Sequence, residues 1–303
     1  MIYDIIIIGS GPAGLTAAIY ARRANKDVLV LEKDTMGGNI THSPKVENYL
    51  GYDSISGLEL ADKFTYQAMN LGVVFDFDEA IGIEKGTSFI VKGKRKNFEG
   101  KAVIIATGSK HRQLKLENEN NLVGHGISYC AVCDGAFYVN HDVTLIGGGN
   151  SAMQEAILLS KTCTSVTMIQ NLPFLTGESA LACQINKTDN IKVIYNKVVV
   201  KLNGENSLSS IVLEDNETKE QTLYNTDSVF VAIGQEADNL PFADVCELDE
   251  QGFIISNDFC ETKTRGIYVA GDCKRKAVRQ IVTATSDGSI AALQAIRYLD
   301  TLE

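Results

Sequence analysis

The sequence lacks the features of several large classes of protein. No apolar run approaches the roughly 18 residues that a membrane-spanning helix needs, and no proline- or serine-rich linker divides the 303-residue chain. Positive charge is also scarce, because 28 Lys and Arg residues stand against 38 Asp and Glu residues and leave a net charge of −10. This balance argues against a general binder of nucleic acid or of anionic membranes, since both functions need a basic surface.

The cysteines and the start of the chain do not fit a secreted protein. The chain has 7 cysteines, an odd number in a long sequence, which is not typical of a secreted disulfide framework. The apolar opening, Ile2 to Ile8, includes Asp4 and has neither a basic leader nor a small-residue cleavage site, so we do not expect a signal peptide. Hydrophobic residues make up 45% of the chain, as in an ordinary globular protein. We therefore predict a soluble, cytoplasmic protein.

Two segments of the chain repeat one pattern, about 138 residues apart. In the first, an apolar strand leads into Gly9-Ser-Gly-Pro-Ala-Gly14, an Ala- and Leu-rich helix and a second apolar strand. In the second, the glycine turn reads Gly147-Gly-Gly-Asn-Ser-Ala152. Each segment is a βαβ unit of about 30 residues. The repeat predicts an α/β protein with two Rossmann-like domains of the nucleotide-binding type.

The first glycine turn has the sequence context of a dinucleotide-binding site. Its Gly-x-Gly-x-x-Gly motif follows a strand and opens a helix, so that a pyrophosphate can approach the backbone at the positive end of the helix. Glu32 lies 18 residues beyond Gly14, at the end of the second strand. A carboxylate there accepts hydrogen bonds from a ribose 2′-hydroxyl, which fits FAD or NAD but not NADP. The alternative is a glycine turn that serves helix packing alone.

A pair of cysteines in Cys130-Ala-Val-Cys133-Asp134 forms the second candidate site. The Cys-x-x-Cys spacing allows a small-ring disulfide, and pairing lowers the pKa of one thiol. Asp134 is a candidate proton donor and acceptor for thiolate release. The alternative is a zinc site completed by His125 and His141, although their spacing is irregular and no second Cys-x-x-Cys exists. We expect most of the other five cysteines to be buried small hydrophobes.

Together these motifs resemble the low-molecular-weight thioredoxin reductases over essentially the whole chain. Further matching pieces are Gly37-Gly-Asn39, Val46-Glu-Asn-Tyr49, Ala106-Thr-Gly108, and Gly271-Asp272 with Arg279-Gln280. The resemblance implies two Rossmann-like domains of the three-layer ββα type, the second inserted in the first. The FAD-binding domain is then discontinuous, residues 1–112 and 243–303, and residues 113–242 form the inserted pyridine-nucleotide-type domain that carries the redox disulfide. Electrons would pass from flavin to disulfide to thioredoxin, usually in a homodimer.

The resemblance also implies roles for individual residues. Cys130 and Cys133 should form the redox disulfide, and Asp134 should act as acid and base. Because Cys133 lies nearer Asp134 in the sequence, we expect Cys133 to face the flavin and Cys130 to attack thioredoxin. FAD should bind noncovalently. The residues expected to contact it are Gly9, Gly11, Pro12, Ala13, Gly14, Glu32, Gly38, Asn39, Asn48, Ala106, Thr107, Gly108, Gly271, Asp272, Arg279 and Gln280.

The second glycine turn departs from the family pattern where the relatives bind NADPH. The relatives follow the second strand with a His-Arg-Arg cluster and a further Arg, which hold the 2′-phosphate through charge-assisted contacts. This chain instead has Gln170-Asn-Leu-Pro-Phe-Leu-Thr176, and no Lys or Arg occurs from Thr162 to Asn186. Gln170 stands where Glu32 stands in the first unit, and Asn150 replaces the usual acidic residue of the turn. We therefore expect neither NADPH nor NADH to bind.

Without NADPH, the electrons need another donor. The chain resembles the ferredoxin-dependent flavin thioredoxin reductases, and transfer from a ferredoxin near about −400 mV to a thioredoxin near about −270 mV is downhill by roughly 6 kcal/mol for two electrons. An acidic ferredoxin would need a basic patch, for which residues 92–96 and, better placed, residues 274–276 are candidates. The alternatives are a conventional NADPH-dependent thioredoxin reductase and a non-catalytic flavin-binding redox sensor.

Overall fold

The computed structural model describes residues 2–43, 46 and 48–302, and it divides the chain into two units. The first unit comprises Met1–Lys110 with Glu236–Glu303, and the second comprises His111–Gln235. No helix in these described ranges combines the length and the apolar character needed to cross a membrane.

The elements alternate between strands and helices along much of the chain. The strands are β1 (Ile2–Ile8), β2 (Val28–Glu32), β3 (Val74–Phe77), β4 (Ala80–Lys85), β5 (Phe89–Gly93), β6 (Asn97–Ile105), β7 (Lys110–His111), β8 (Ile127–Ser128), β9 (Asp142–Ile146), β10 (Ser165–Ile169), β11 (Ile191–Ile194), β12 (Lys197–Asn203), β13 (Ser210–Asp215), β14 (Gln221–Asn225), β15 (Val229–Val231), β16 (Gln235–Glu236) and β17 (Ile267–Val269). The helices are α1 (Pro12–Arg23), α2 (Gly57–Asn70), α3 (Glu119–Leu122), α4 (Ala131–Asp134), α5 (Asn150–Leu159), α6 (Ser179–Lys187) and α7 (Ile281–Asp300). Short 3₁₀ turns cover Gly38–His42, Gly135–Tyr138, Leu240–Phe242 and Gly271–Cys273.

The first unit is built on a seven-stranded sheet. Parallel strands run in the order β3-β2-β1-β6, and β6 is flanked on its other side by antiparallel β5 and then β4 at its start and by parallel β17 at its end. Along β1, Ile5 and Ile7 join one core cluster while Ile6 and Ile8 join the cluster on the opposite face. Burial on both faces explains why this strand is an uninterrupted apolar run rather than an alternating one.

Helices α1 and α7 pack closely against each other on one face of this sheet. Small side chains such as Ala284, Ala291 and Ala295 on α7 are buried at the contact. At Gly288 the approach is closer still, because a Cβ there would overlap the carbonyl oxygen of Ala13. A side chain at this position of α7 would therefore push the two helices apart.

The second unit has three layers. A parallel sheet in the order β11-β10-β9-β15-β8 has α5 and α6 on one face, and the antiparallel sheet β12-β13-β14 shares a core with the other face. Phe230 of β15 faces the helices, whereas its neighbours Val229 and Val231 face the antiparallel sheet. Both units thus have the predicted α/β architecture with parallel sheets, and the fold class is confirmed.

The chain re-enters the first unit earlier than the predicted boundary at 242–243. The structure groups residues 236–242 with the first unit, because their side chains are anchored there. Phe242 is buried in the core cluster that contains Ile6 and Val269. The Asn239 amide donates hydrogen bonds to the carbonyl oxygens of Gly252 (2.9 Å) and Cys273 (3.1 Å).

Because α7 packs so closely against α1, we predict that a substitution at Gly288 will not follow the usual helix propensities. Replacing an interior helical glycine by alanine normally stabilises a protein by up to about 1 kcal/mol. We expect Gly288→Ala to destabilise this one by about 1–3 kcal/mol instead, since the added Cβ overlaps backbone that cannot rotate away. Thermal unfolding followed by circular dichroism measures the effect, with Ser286→Ala on the exposed face of α7 as the control. A Gly288→Ala protein as stable as that control would contradict the prediction.

Candidate functional site

The first unit contains a cavity of about 240 Å³ at the carboxyl ends of its parallel strands. β1, β2 and β6 all end there, which is where open α/β sheets bind their ligands. Most of the residues predicted to contact FAD line this cavity. They are Gly9, Gly11, Pro12, Ala13, Glu32, Gly38, Asn39, Ala106, Thr107, Gly108, Gly271, Asp272 and Gln280.

Three residues of the predicted set do not line the cavity. Gly14 packs beneath the turn, where a Cβ would overlap the carbonyl oxygen of Gly9. The Asn48 amide donates to Oε1 of Gln280 at 3.0 Å. The Arg279 guanidinium stacks 4.0 Å from the ring centre of Phe253 and donates to the carbonyl oxygen of Asp272. In this structure these three residues position the lining residues.

The Glu32 carboxylate organises the first glycine turn. Its Oε2 accepts hydrogen bonds from the backbone N–H (2.9 Å) and hydroxyl (2.6 Å) of Ser10, and its Oε1 accepts from the backbone N–H groups of Lys33 and Asp34. The sequence predicted Glu32 as a ribose acceptor but missed its role in tying the turn to the end of β2. Residues 33–35 also line the cavity and were not predicted, although their position directly after Glu32 was a usable signal.

Asp272 leaves an unsatisfied polar group at the cavity. Its Oδ1 is buried and has no hydrogen-bond partner, and burial raises the pKa of the carboxyl, although Lys276 and Arg279 oppose this shift. A buried oxygen without a partner in a cavity wall is what a polar ligand would satisfy. The backbone at Gly108 is equally open, since a Cβ there would meet nothing within 4 Å. The residues present therefore fit FAD.

The predicted redox pair lies in the second unit, at α4. Cys130 is disulfide-bonded, whereas the side chain of Cys133 lies outside the described part of the structure. Of the other five cysteines, Cys183 is exposed and the remaining four are buried, which confirms the expectation for most of them. Within the described residues, no group of three or more His, Cys, Asp or Glu side chains is placed to hold a metal ion.

Two carboxylates flank the redox turn. Asp134 accepts a 2.6 Å hydrogen bond from the hydroxyl of Ser128, whose oxygen also accepts from the backbone N–H of Cys130 at 3.0 Å. Glu155 on α5 accepts a hydrogen bond from the backbone N–H of Ala131, and burial raises the pKa of this carboxyl to about 7. Sequence reasoning missed Glu155. The signal was a single acid in the buried stripe of α5 that includes Ala152, Ala156 and Leu159.

The second glycine turn borders a cleft of about 570 Å³ in the second unit, but its own chain folds against it. Gln170 is buried, and its amide bonds to the carbonyl of Phe174 (2.9 Å) and the N–H of Asn171 (3.1 Å). A Cβ on Gly148 would overlap this amide. Thr176 donates its backbone N–H to the carbonyl oxygen of Gly148 at 2.8 Å. The loop after β10, where the resemblance led us to expect phosphate-binding arginines, is neutral in this chain and is held to the turn.

A carboxylate also stands at the beginning of α5. Asn150, the first residue of the helix, accepts from the backbone N–H of Glu178 (2.7 Å) and donates to its carboxylate (3.2 Å). The N-terminus of a helix carries positive partial charge, which in dinucleotide-binding folds faces the pyrophosphate. Two cations line the cleft, Arg112 and Lys197. Lys197 forms an ion pair with Asp215 at 2.8 Å and lowers the pKa of that carboxyl.

Two of the three cations predicted as a basic patch at residues 274–276 are held in ion pairs, whereas Arg275 is exposed. Lys274 and Lys276 are each only 12% exposed, and both form ion pairs with Asp287 of α7, at 3.5 and 2.6 Å. Each cation of the other cluster, residues 92–96, is likewise paired with a carboxylate on β3, β4 or the turn between them. The sequence showed the cations, but their partners come from other parts of the chain.

The buried carboxyl of Glu155 predicts a dependence of stability on pH. Its pKa is raised from an ordinary 4.5 to about 7, so the folded protein binds this proton more tightly than the unfolded chain and loses stability as the pH rises through that interval. We expect Glu155→Gln to be more stable than the wild type by less than about 1 kcal/mol near pH 5 and by about 2–3 kcal/mol at pH 8. Urea unfolding followed by circular dichroism tests this, with the exposed Glu205→Gln as the control. Equal stability of the Glu155→Gln protein and the wild type at pH 8 would refute the prediction.

Known proteins match this chain over nearly its whole length. The sequence profile described as pyridine nucleotide-disulphide oxidoreductase matches residues 3–288. A thioredoxin reductase of Bacillus subtilis is 38% identical, with 100% of this chain and 96% of that protein covered. The structure of Lactococcus lactis thioredoxin reductase has a TM-score of 0.86 and 36% identity over 99% of both chains. A ferredoxin-flavin thioredoxin reductase of Clostridium acetobutylicum gives a TM-score of 0.56 and 28% identity over 100% and 99%. The chain therefore belongs to the pyridine nucleotide-disulphide oxidoreductase family, among its FAD-dependent thioredoxin reductases.

Proposed function

We propose that this protein reduces thioredoxin through FAD and a Cys130–Cys133 disulfide, with electrons that come from reduced ferredoxin rather than from NADPH. The observation that carries the choice of donor is the second cleft, where the chain's own neutral loop and the Glu178 carboxylate lie against the glycine turn. As in the relatives that the sequence resembles, we propose a homodimer.

Electrostatics at the second cleft supports the absence of NADPH. The negative carboxylate of Glu178 lies at the N-terminus of α5, where a dinucleotide would place its pyrophosphate. The carboxylate and the pyrophosphate are both negative and would compete for this one helix terminus. Each missing charge-assisted hydrogen bond to a 2′-phosphate costs roughly 1.5–3 kcal/mol. The loss of two or three such contacts corresponds to several orders of magnitude in affinity.

The donor proposed in place of NADPH is chosen on chemistry and on likeness. Ferredoxins have potentials low enough to reduce a thioredoxin disulfide through a flavin. The Clostridium acetobutylicum enzyme, which the chain covers from end to end, is named for ferredoxin and flavin. Six of the seven cations in the two basic clusters are paired with carboxylates, and among the described residues of these clusters only Arg275 is exposed without an ion-pair partner. We therefore assign the ferredoxin-binding surface to neither cluster.

Individual residues would have the following roles in FAD binding and proton transfer. Gly9, Gly11 and the N-terminus of α1 would hold the FAD diphosphate, and the partnerless Oδ1 of Asp272 would meet a polar group of the cofactor. When bound, FAD accepts electrons from the donor and supplies two electrons to the disulfide. Asp134, oriented by the Ser128 hydroxyl, would hold the proton that the released thiolate needs.

One observation favours a conventional NADPH-dependent enzyme as the second candidate. Arg112 lines the second cleft, and among the residues that the structure describes it has no ion-pair partner. A guanidinium in this place could bind a phosphate through a bidentate contact. If NADPH does bind, we expect Arg112 to be the residue that holds its 2′-phosphate.

The donor can be identified from the visible absorption of the flavin under anaerobic conditions. We expect enzymatically reduced ferredoxin to bleach the oxidised flavin and subsequent addition of oxidised thioredoxin to restore it. Micromolar NADPH or NADH should leave the spectrum unchanged, because Gln170 and the neutral loop that follows it supply neither the arginines that select NADPH nor the carboxylate that selects NADH. Rapid, saturable bleaching by NADPH would instead identify a conventional thioredoxin reductase. Flavin that ferredoxin reduces but thioredoxin never reoxidises would favour a redox sensor.

A gain-of-function variant tests the physical reason for the missing NADPH activity. We expect Asn171→Arg with Leu172→Arg to raise kcat/KM for NADPH-driven flavin reduction at least about tenfold, since each arginine adds a charge-assisted contact. Both positions are on the exposed loop after β10. The control places the same two charges on exposed positions of β14, as Gln221→Arg with Leu223→Arg. Equal rates in the two double variants would show that loss of cations does not explain the altered donor.

A further inference from the structure

A second buried acid lies directly behind the redox turn, on a different element from Asp134. Helix α5 packs against α4, and Ala131 of α4 is buried in the same core cluster as Ala152, Ala156 and Leu159 of α5. Glu155 projects into this contact, where it accepts a hydrogen bond from the backbone N–H of Ala131. That nitrogen is bonded covalently to the carbonyl carbon of Cys130. The hydrogen bond therefore holds the carboxyl group one peptide bond away from Cys130.

The carboxyl group is only partly satisfied. Its Oε2 is buried and has no hydrogen-bond partner, and no charged side chain contributes to the shift of its pKa, which arises from burial with only the Ala131 N–H opposing it. A buried acid that is held by one backbone N–H and shielded from water interacts strongly with any new charge nearby.

Most ionisable groups on the elements around α5 are engaged elsewhere or exposed, and the thiol of Cys163, which is buried in the same core cluster, stays neutral because burial raises its pKa. On α4, Asp134 is bonded to Ser128. On the α6 side, Glu178 is bonded to Asn150, and Cys183 and Lys187 are exposed. Asp142 of β9 accepts from the Ser165 hydroxyl at its exposed end, β10 has no ionisable side chain, and Tyr138 follows in the 3₁₀ turn after α4. The charge that forms on the redox pair is therefore the one that Glu155 is placed to sense.

We propose that Glu155 is a positioning residue for the redox pair: its carboxylate, held by the Ala131 N–H, opposes ionisation of the neighbouring thiol and takes up a proton from solvent when that thiol ionises. The proposal rests on the assignment of Cys130 and Cys133 as the redox disulfide, but not on the identity of the electron donor. Glu155 touches neither a substrate nor a cofactor in this scheme.

The proton balance makes the proposal concrete. Reduction breaks the S–S bond with two electrons and leaves two sulfur anions, each of which can bind one proton. If one sulfur stays ionised, its negative charge and that of Glu155 repel each other, so that Glu155 binds the proton instead. The thiolate that attacks thioredoxin then coexists with a neutral carboxyl, and thiolate formation is coupled to one extra protonation near neutral pH.

The test is the pH profile of thiol alkylation in the full-length protein. The disulfide is reduced with dithiothreitol, the reductant is removed anaerobically, and iodoacetamide labelling of Cys130 and Cys133 is followed by peptide mass spectrometry from pH 5 to 9. The exposed Cys183 of the same sample provides the reference rate. Glu155→Gln keeps an acceptor for the Ala131 N–H but removes the charge. Gln154→Glu, on the exposed side of the same helix, is the matched control that adds a carboxylate facing solvent.

We expect Glu155→Gln to lower the apparent pKa of the more reactive thiol by about one unit and to raise its alkylation rate at pH 7.5 about five- to tenfold. The Cys183 rate and the Gln154→Glu profile should match the wild type.

Two outcomes would overturn the proposal. The wild-type and Glu155→Gln profiles could be superimposable, or the alkylation rate could change by the same factor at every pH, which would report a change in access alone. If Glu155→Gln does not fold, Glu155→Asp should give a smaller shift in the same direction, because its carboxyl is drawn back from Ala131. Failure of ferredoxin to reduce the flavin would leave these profiles untouched, so the two proposals fail separately.

Discussion

The structure depends on one constraint that both units share, which is the direct contact of backbone with backbone at the glycine turns. Gly9 and Gly147 both have positive φ, +107° and +135°, a conformation that side chains other than glycine rarely adopt. At each position a Cβ would overlap a carbonyl oxygen after a neighbouring strand, that of Ala106 in the first unit and that of Ala232 in the second. The contact lets the turn approach the neighbouring strand closely just before α1 in the first unit and just before α5 in the second.

The constraint separates packing from nucleotide recognition. In the first unit the position at the end of the second strand is Glu32, whose carboxylate binds the turn from the side and leaves the cavity open. In the second unit the corresponding Gln170 lies against Gly148 and bonds to its own loop. The same backbone geometry is therefore compatible with a carboxylate that bonds to the turn from the side and with a neutral amide that packs directly against it. A glycine-rich turn is evidence for a βαβ fold, and the side chains around it are the evidence for a ligand.

Much of this molecule could be predicted from local sequence because its signals are local. The glycine turns, the apolar strands and the Cys-x-x-Cys spacing each lie within a few residues, and the fold class and most of the cavity lining followed from them. What the local sequence did not show depended on partners distant in the chain. Lys274 and Lys276 read as a surface patch until Asp287 of α7 is seen between them. Residues 236–242 belong to the first unit because Asn239 bonds to carbonyls 13 and 34 residues away. Glu155 needed the contact of two helices to be recognised.

Helix α5 gives a physical reason for the glycines of the second turn that does not depend on nucleotide binding. The helix begins at that turn, and its buried face, with Ala152, Ala156 and Leu159, supports the short helix that carries the redox pair. A change at Gly147 or Gly148 that moved α5 would also move Ala131 and Glu155 behind Cys130. The glycines of the second unit are then required by the disulfide through packing, whether or not a dinucleotide binds beside them. Helix α5 therefore connects the glycine turn at which it begins with the redox turn that packs against its buried face.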